Sequence, residues 1–302
     1  MIYDIVIIGG GPAGLTAAIY GRRQNKTVMV IEKNTFGGQT VYSPKIENIP
    51  GFNEMSGMDF ADRLFEQASY QGAEFAVEEA LEIIDNGETK TVKTDYSEYE
   101  CRAVIIAAGA KHRLLGLDGE ENYIGNGISF CAVCDGAFYK GKKVIMIGGG
   151  NSALVEANLL ADLCSELIIV QNLAFLTAEE KLVNEITSKP NVKVICSSVV
   201  DSIIGDGEYK GIVIRNTETG EKTELYSDGM FIAIGLIPDT EHFVSTVKSD
   251  ARGYVISDEN CLTDKAGVFV AGDCRTKTVR QITTACADGA VAALAACKYI
   301  DA

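Results

Sequence analysis

At 302 residues the chain is long enough for one large domain or two ordinary ones. Its 47% hydrophobic content, with 31 glycines against 5 prolines, fits a packed α/β protein, and its net charge of −15 argues against nucleic acid as a partner. No apolar run approaches the roughly 18 residues of a membrane span, and Met1-Ile2-Tyr3-Asp4 carries no basic run, so no signal peptide is expected and the nine cysteines should be mostly free thiols in a reducing cytoplasm.

The first element is Asp4-Ile5-Val6-Ile7-Ile8, a short apolar run that predicts a buried parallel strand. It runs into Gly9-Gly10-Gly11-Pro12-Ala13-Gly14, a GxGxxG, followed by a helical pattern from Leu15 to Arg23 and a second strand, Thr27 to Glu32. Together they form a dinucleotide-binding unit. Gly9 serves the tight turn, Gly11 lets a pyrophosphate approach the backbone, and Gly14 lets helix and strand pack. The helix start offers free N–H groups to phosphate, and Glu32 can accept hydrogen bonds from a ribose diol. Between Phe75 and Arg102 polar and apolar residues alternate, which predicts antiparallel hairpins with Lys90–Thr94 as one strand. Val104 to Ala110 is a further buried strand ending at a glycine.

Cys131-Ala132-Val133-Cys134 follows, a CxxC whose gap lets two thiols cycle between dithiol and disulfide. The other seven cysteines are singletons and the only histidines are His112 and His242, so neither a zinc site nor an iron–sulfur cluster is expected. Cys274, Cys286 and Cys297 read as small core residues.

Beyond the cysteine pair the opening plan repeats. Lys143–Ile147 is a strand, Gly148-Gly149-Gly150-Asn151-Ser152-Ala153 is a GxGxxA, Ala153 to Leu163 a helix and Leu167–Val170 a strand. Gly9 to Glu32 spans 23 positions, as does Gly148 to Gln171. Gln171 therefore stands where the first copy has its acid. The usual NAD ribose reader is missing, and from Gln171 to Glu180 there is no Lys or Arg for the 2′-phosphate of NADP. Charge-assisted hydrogen bonds contribute about 1.5–3 kcal/mol each, so losing two costs on the order of 10²–10⁴ in affinity. Lys193 to Lys222 reads as antiparallel strands with a turn at Thr219-Gly220. Met230–Gly235 and Val268–Asp273 are further buried strands, and Thr284 to Tyr299 is an Ala-rich helix. Asp273 can accept a hydrogen bond from a ribityl hydroxyl, with the helix start near Gln281 facing an anionic flavin edge. The expected fold class is α/β, with two Rossmann-like three-layer ββα domains: residues 1–112 and 242–302 as the first nucleotide-type domain, which the resemblance below assigns to FAD, and 113–241 as an inserted pyridine-nucleotide-type domain carrying the cysteines.

These landmarks, in this order, resemble the low-molecular-weight thioredoxin reductases over nearly the whole chain. The resemblance rests on Gly9–Gly14, Gly37-Gly38-Gln39, Cys131 to Asp135, Gly148–Ala153, Gly272-Asp273 and Arg280-Gln281. It implies a homodimeric FAD enzyme. Cys134 would lie against the flavin, Cys131 would attack the disulfide of thioredoxin, and Asp135 would serve as acid/base. Glu32, Gln39, Asn48, Asp273 and the Arg280-Gln281-Ile282 turn would hold FAD, helped by Gly9, Gly11, Pro12, Ala13, Gly14, Lys33, Gly38, Thr40, Ala108, Gly109 and Gly272.

One departure matters. NADPH-dependent members carry a His-Arg-Arg run and a further Arg where this chain has Gln171-Asn172-Leu173-Ala174-Phe175. In this the chain resembles the clostridial flavin thioredoxin reductases that draw electrons from ferredoxin; a divergent branch without NADPH motifs has no assigned donor, and the absence of an extra tail after the Ala-rich helix leans toward the ferredoxin branch. An acidic ferredoxin would need a basic face, with candidates at Arg22, Arg23 and Lys26; Lys111 and Arg113; Lys140, Lys142 and Lys143; or Arg275, Lys277 and Arg280. Two other readings are an NADPH-dependent enzyme with a divergent nucleotide site and a flavin-bound redox sensor without turnover.

Overall fold

The computed structural model describes residues 2–43 and 45–302. The chain divides into two compact units, Met1–Lys111 with Ile237–Ala302, and His112–Leu236.

In the larger unit a parallel sheet runs in the order Glu74–Val77, Val28–Glu32, Ile2–Ile8, Glu98–Ile106 and Val268–Val270. Ile2–Ile8 lies at its centre, and its second half is covered on both faces, which is why Ile5–Ile8 is a continuous apolar run. Ile5 and Ile7 pack with Leu15, Ala18 and Ala296 on the helical side. Val6 and Ile8 pack with Ile83, Val92 and Val255 on the other. The helices on the first face are Pro12–Arg23 and Ile282–Asp301. They approach closely because a Cβ on Gly289 would lie 2.1 Å from the Ala13 carbonyl oxygen. The opposite face carries the antiparallel strands Ala80–Asp85 and Lys90–Thr94, which pair onto the first half of Glu98–Ile106. Three layers result, as the alternation between Phe75 and Arg102 predicts, except that Glu74–Val77 joins the parallel sheet.

The smaller unit repeats the plan. Its parallel sheet runs Val192–Ile195, Glu166–Val170, Lys143–Ile147, Gly229–Ile232 and Ile128–Ser129. Val144 and Met146 face the helix Asn151–Leu163 through Leu154, Ala157 and Leu160. Ile145 and Ile147 face Tyr209, Ile212 and Ile214. Those last residues belong to an antiparallel sheet of Ser198–Gly205, Tyr209–Asn216 and Lys222–Tyr226. The sequence places the start of this sheet at Lys193; instead 192–195 extends the parallel sheet, with Val192 and Val194 half-buried against the helical layer. The turn falls at Thr219-Gly220, where Gly220 has φ +75° and the Asn216 side chain accepts from the N–H groups of Glu218 and Thr219. Among the described residues no helix is long and apolar enough to cross a membrane.

Candidate functional site

In the smaller unit the strand Ile128–Ser129 delivers the chain to Cys131, which caps a one-turn helix, Ala132–Asp135. Cys131 and Cys134 are joined by a disulfide, with Cα atoms 5.3 Å apart. The backbone N–H of Cys134 points at the Cys131 sulfur (3.2 Å), and Asp135 N–H donates to the Cys131 carbonyl at 3.0 Å. A backbone N–H so placed can donate to a sulfur that carries charge once the pair is reduced. Val133, between the cysteines, is 60% exposed.

Two carboxyls flank the turn. Ser129 Oγ donates to Asp135 Oδ2 at 2.6 Å, while Oδ1 is buried with no partner among the described residues. Burial pushes the Asp135 carboxyl above the ordinary range, and the serine hydrogen bond only partly offsets it. Glu156, on the 151–163 helix, accepts the Ala132 N–H at 2.9 Å and is likewise raised by burial. His112 stacks on Phe130, ring centroids 4.6 Å apart, and burial holds its pKa down to about 4, so it is neutral near pH 7. The lone thiols are quiet by comparison. Burial pushes Cys101 and Cys274 up to about 12 and Cys164 and Cys261 up to about 11.

The larger unit holds a dinucleotide cradle. Gly9 has φ +108°, and a Cβ there would lie 2.3 Å from the Ala107 carbonyl oxygen. A Cβ on Gly14 would lie 1.8 Å from the Gly9 oxygen, whereas one on Gly11 would meet nothing closer than 3.9 Å, the Gly38 Cα. So Gly9 and Gly14 serve the turn, and Gly11 with Gly38 leaves room for a ligand. Pro12 occupies the first turn of the helix, Ala13 is buried behind it, and no side chain caps the start, so its N–H groups are free for phosphate. Glu32 accepts from the Gly10 and Asn34 N–H groups, which fixes its carboxylate at the end of its strand.

Further round the cradle, Gln39 and Thr40 lie in the turn 38–42, Thr40 buried and Gln39 exposed. Asn48 Nδ2 donates to Gln281 Oε1 at 3.1 Å, joining two expected cofactor residues from opposite ends of the chain. Gln281 caps the helix beginning at Ile282. Ala108 and Gly109 follow the 98–106 strand, and a Cβ on Gly109 would meet nothing within 4 Å. Asp273, after Gly272 (φ +79°), has Oδ1 buried with no partner among the described residues, and burial raises its carboxyl. An orphaned acceptor, open space beside Gly11 and Gly109, and an uncapped helix start fit a dinucleotide with a polyol chain.

Two of the expected cofactor residues have other partners. Lys33 pairs with Asp239 at 2.7 Å and Glu79 at 3.4 Å. The Arg280 guanidinium donates to the carbonyls of Asp273, Arg275 and Lys277 and lies over the Tyr254 ring at 4.2 Å. It braces the loop that presents Asp273. Arg275 and Lys277 are bound to Asp288 and nearly buried, so they are no docking face.

The second glycine turn is built like the first and filled differently. Gly9 N–H donates to Ile31 oxygen and Gly148 N–H to Val170 oxygen, so Glu32 and Gln171 are equivalent in space as in spacing. Gln171 is 5% exposed, and its amide is engaged locally, donating to the Phe175 carbonyl (3.3 Å) and accepting from Asn172 N–H (3.2 Å). A Cβ on Gly149 would lie 2.8 Å from the Gln171 amide and 2.9 Å from Leu176. Thr177 N–H binds the Gly149 carbonyl, and Asn151, the first helical residue, exchanges hydrogen bonds with Glu179. The corner that reads a ribose thus holds a self-satisfied amide, a leucine and, at the helix start, a carboxylate.

Ser129, Glu156 and Asp288 were not singled out by motif. Glu156 and Asp288 do carry a signal, an isolated acid beside buried apolar neighbours on its helix (Ala157 and Gly289), which demands a partner.

A family model described as pyridine nucleotide-disulphide oxidoreductase matches residues 3–289. A thioredoxin reductase of Listeria monocytogenes is 41% identical over 301 residues, covering 99% of this chain and 94% of the relative. A 34.2 kDa protein in the rubredoxin operon of Clostridium pasteurianum is 43% identical over 300 residues, covering 98% and 97%. The crystal structure of thioredoxin reductase from Streptococcus pyogenes superposes with a TM-score of 0.94 at 38% identity, covering 99% of this chain and 98% of that one.

Proposed function

The chain belongs to the pyridine nucleotide-disulphide oxidoreductases and, within them, to the FAD-dependent low-molecular-weight thioredoxin reductases, and from this we propose that it reduces thioredoxin with electrons from reduced ferredoxin instead of NADPH. The observation that carries the choice of donor is Gln171, buried and hydrogen-bonded to its own loop where a pyridine nucleotide needs an acid or an arginine. Losing two charge-assisted contacts costs about 10²–10⁴ in affinity. The carboxylate of Glu179, which accepts from the Asn151 side chain at the helix start, adds repulsion toward a pyrophosphate.

FAD, when bound, supplies the conversion of single electrons into the pair that a disulfide requires. In the larger unit the free N–H groups of Ala13 and Gly14 take the pyrophosphate, Glu32 the adenosine ribose, and Asp273 a ribityl hydroxyl. In the smaller unit two electrons break the Cys131–Cys134 bond, with Cys134 the sulfur on the cofactor side and Cys131 leaving as a thiolate to which the Cys134 N–H can donate. Cys131 attacks the thioredoxin disulfide; one S–S bond forms, one breaks, and a thioredoxin thiolate leaves. Cys134 then attacks Cys131, restoring the internal disulfide and releasing the second thioredoxin thiolate. Asp135, carrying a proton more readily than an ordinary carboxyl, exchanges it with the pair. We place the enzyme in the cytoplasm as a homodimer, which light scattering of the purified protein tests.

Anaerobic mixing of the FAD-loaded protein with NADPH, NADH or reduced ferredoxin decides the donor. Bleaching of the flavin absorbance by ferredoxin, with little by either nucleotide, is expected. Rapid bleaching by NADPH overturns the proposal.

A further inference from the structure

Glu156 reaches the redox pair from another element. It sits on the helix that follows the second glycine turn, 24 positions beyond Ala132, and its Oε2 accepts the Ala132 N–H at 2.9 Å. Ala132 is the residue after Cys131, is 2% exposed, and opens the turn that carries both sulfurs. Its N–H has no partner inside so short a helix. A neutral serine or asparagine would satisfy it. The chain uses an acid instead, between the buried Leu154 and Ala157.

We infer that Glu156 is a positioning residue that tunes the Cys131–Cys134 pair, holding the turn through Ala132 and placing a negative charge at the turn that carries both sulfurs, which makes the dithiol a stronger reductant. The physical reason is a competition. The N–H groups at the turn stabilise a thiolate, and a disulfide whose reduced form is stabilised is a strong oxidant and a poor donor. A carboxylate next to the same turn opposes that stabilisation, keeping the pair willing to pass electrons on. Burial raises the Glu156 carboxyl while the Ala132 N–H favours its ionised form, so the charge acts above that raised value, which is why the test is run in mildly alkaline buffer. The inference concerns the pair alone and holds whichever donor feeds the flavin.

The test equilibrates the FAD-loaded protein with oxidised and reduced dithiothreitol in mildly alkaline buffer and counts alkylated Cys131 and Cys134 by mass spectrometry. In this exchange the Cys131–Cys134 bond breaks, the two sulfurs of dithiothreitol form a ring disulfide, and its two electrons and two protons end on the cysteines. Glu156→Gln keeps an oxygen for the Ala132 N–H and removes the charge. Its equilibrium is expected to move toward dithiol by about tenfold, which is ~30 mV for a two-electron couple. Glu156→Ala is expected to move the same way and also to slow transfer to thioredoxin. Unchanged FAD content and thermal unfolding of Glu156→Gln show that the fold is kept. A shift of less than about threefold in Glu156→Gln, or a shift toward disulfide, overturns the inference.

Discussion

Replacing Asp288 by alanine would strip the proposed flavin cradle of its internal brace. The Asp288 carboxylate accepts four hydrogen bonds: from Gly272 N–H (3.0 Å), Arg275 Nε and Nη2 (2.9 and 2.8 Å) and Lys277 Nζ (2.8 Å). The side chains of Arg275, Lys277 and Asp288 are 8%, 7% and 9% exposed. This is therefore a buried cluster, and removing its one anion leaves two cations unpaired out of water. Breaking such a pair costs about 3–5 kcal/mol. At about 2–4 °C per kcal/mol for a domain of this size, the melting point should drop by roughly 6–20 °C. Because Gly272 N–H is one of the lost bonds and Asp273 follows it, FAD release should precede unfolding, and the rise of free-flavin fluorescence on heating reports both. The pH dependence has a definite sign. Burial alone would raise the Asp288 carboxyl, but the hydrogen bonds and charges of Arg275 and Lys277 outweigh it and hold it below the usual range. A depressed folded-state pKa gives stability that is present above the unfolded value, near pH 4, and lost as pH falls through the folded one. The wild type should lose this contribution in acid, and Asp288→Ala should have none to lose. Converting all three residues to apolar ones of similar volume should recover most of the loss, since whole buried ion clusters are often replaceable in this way. A melting point for Asp288→Ala within about 2 °C of wild type would refute the reasoning.

Asp273→Ala should weaken FAD binding by about 10–100-fold, the worth of one charge-assisted hydrogen bond. Fluorescence titration of the flavin-free protein measures this, and unchanged affinity would mean that the orphaned Oδ1 does not face the cofactor. Asp135→Asn should slow dithiol transfer to thioredoxin by about 10²-fold. Since burial raises the Asp135 carboxyl, the wild-type rate should fall as pH rises through that elevated value while the variant's profile stays flat; identical profiles would remove Asp135 from the proton path.

Much of the frame was legible because it depends on local constraints. The part of a strand covered on both faces must be apolar, and Ile5–Ile8 and Val144–Ile147 are. A turn in which a Cβ would meet a carbonyl oxygen at 1.8–2.5 Å must be glycine, as Gly9, Gly14 and Gly148 are. The equivalence of Glu32 and Gln171 followed from counting, because both follow the residue that accepts from the first glycine of the turn. The CxxC needed no tertiary information, since three residues suffice to bring its sulfurs into bonding range.

What the residues do to one another across the fold was not legible. Lys33 and Arg280 looked like ligands for a cofactor by position, yet Lys33 is held by Asp239, 206 positions away, and Arg280 by three carbonyls and an aromatic ring. Gln171 could have been an open polar group; its burial against Phe175 and Leu176 comes from how one loop folds back on the glycine turn. Sequence spacing alone determined two nucleotide-type folds, one with its acid and one without, and a redox pair between them. Only the tertiary structure decided that Glu156 meets Ala132 and that Asp288 neutralises Arg275 and Lys277. Those contacts depend on which face of a helix packs inward and where a long side chain ends, and a charge buried there is tolerable only once its partner has arrived.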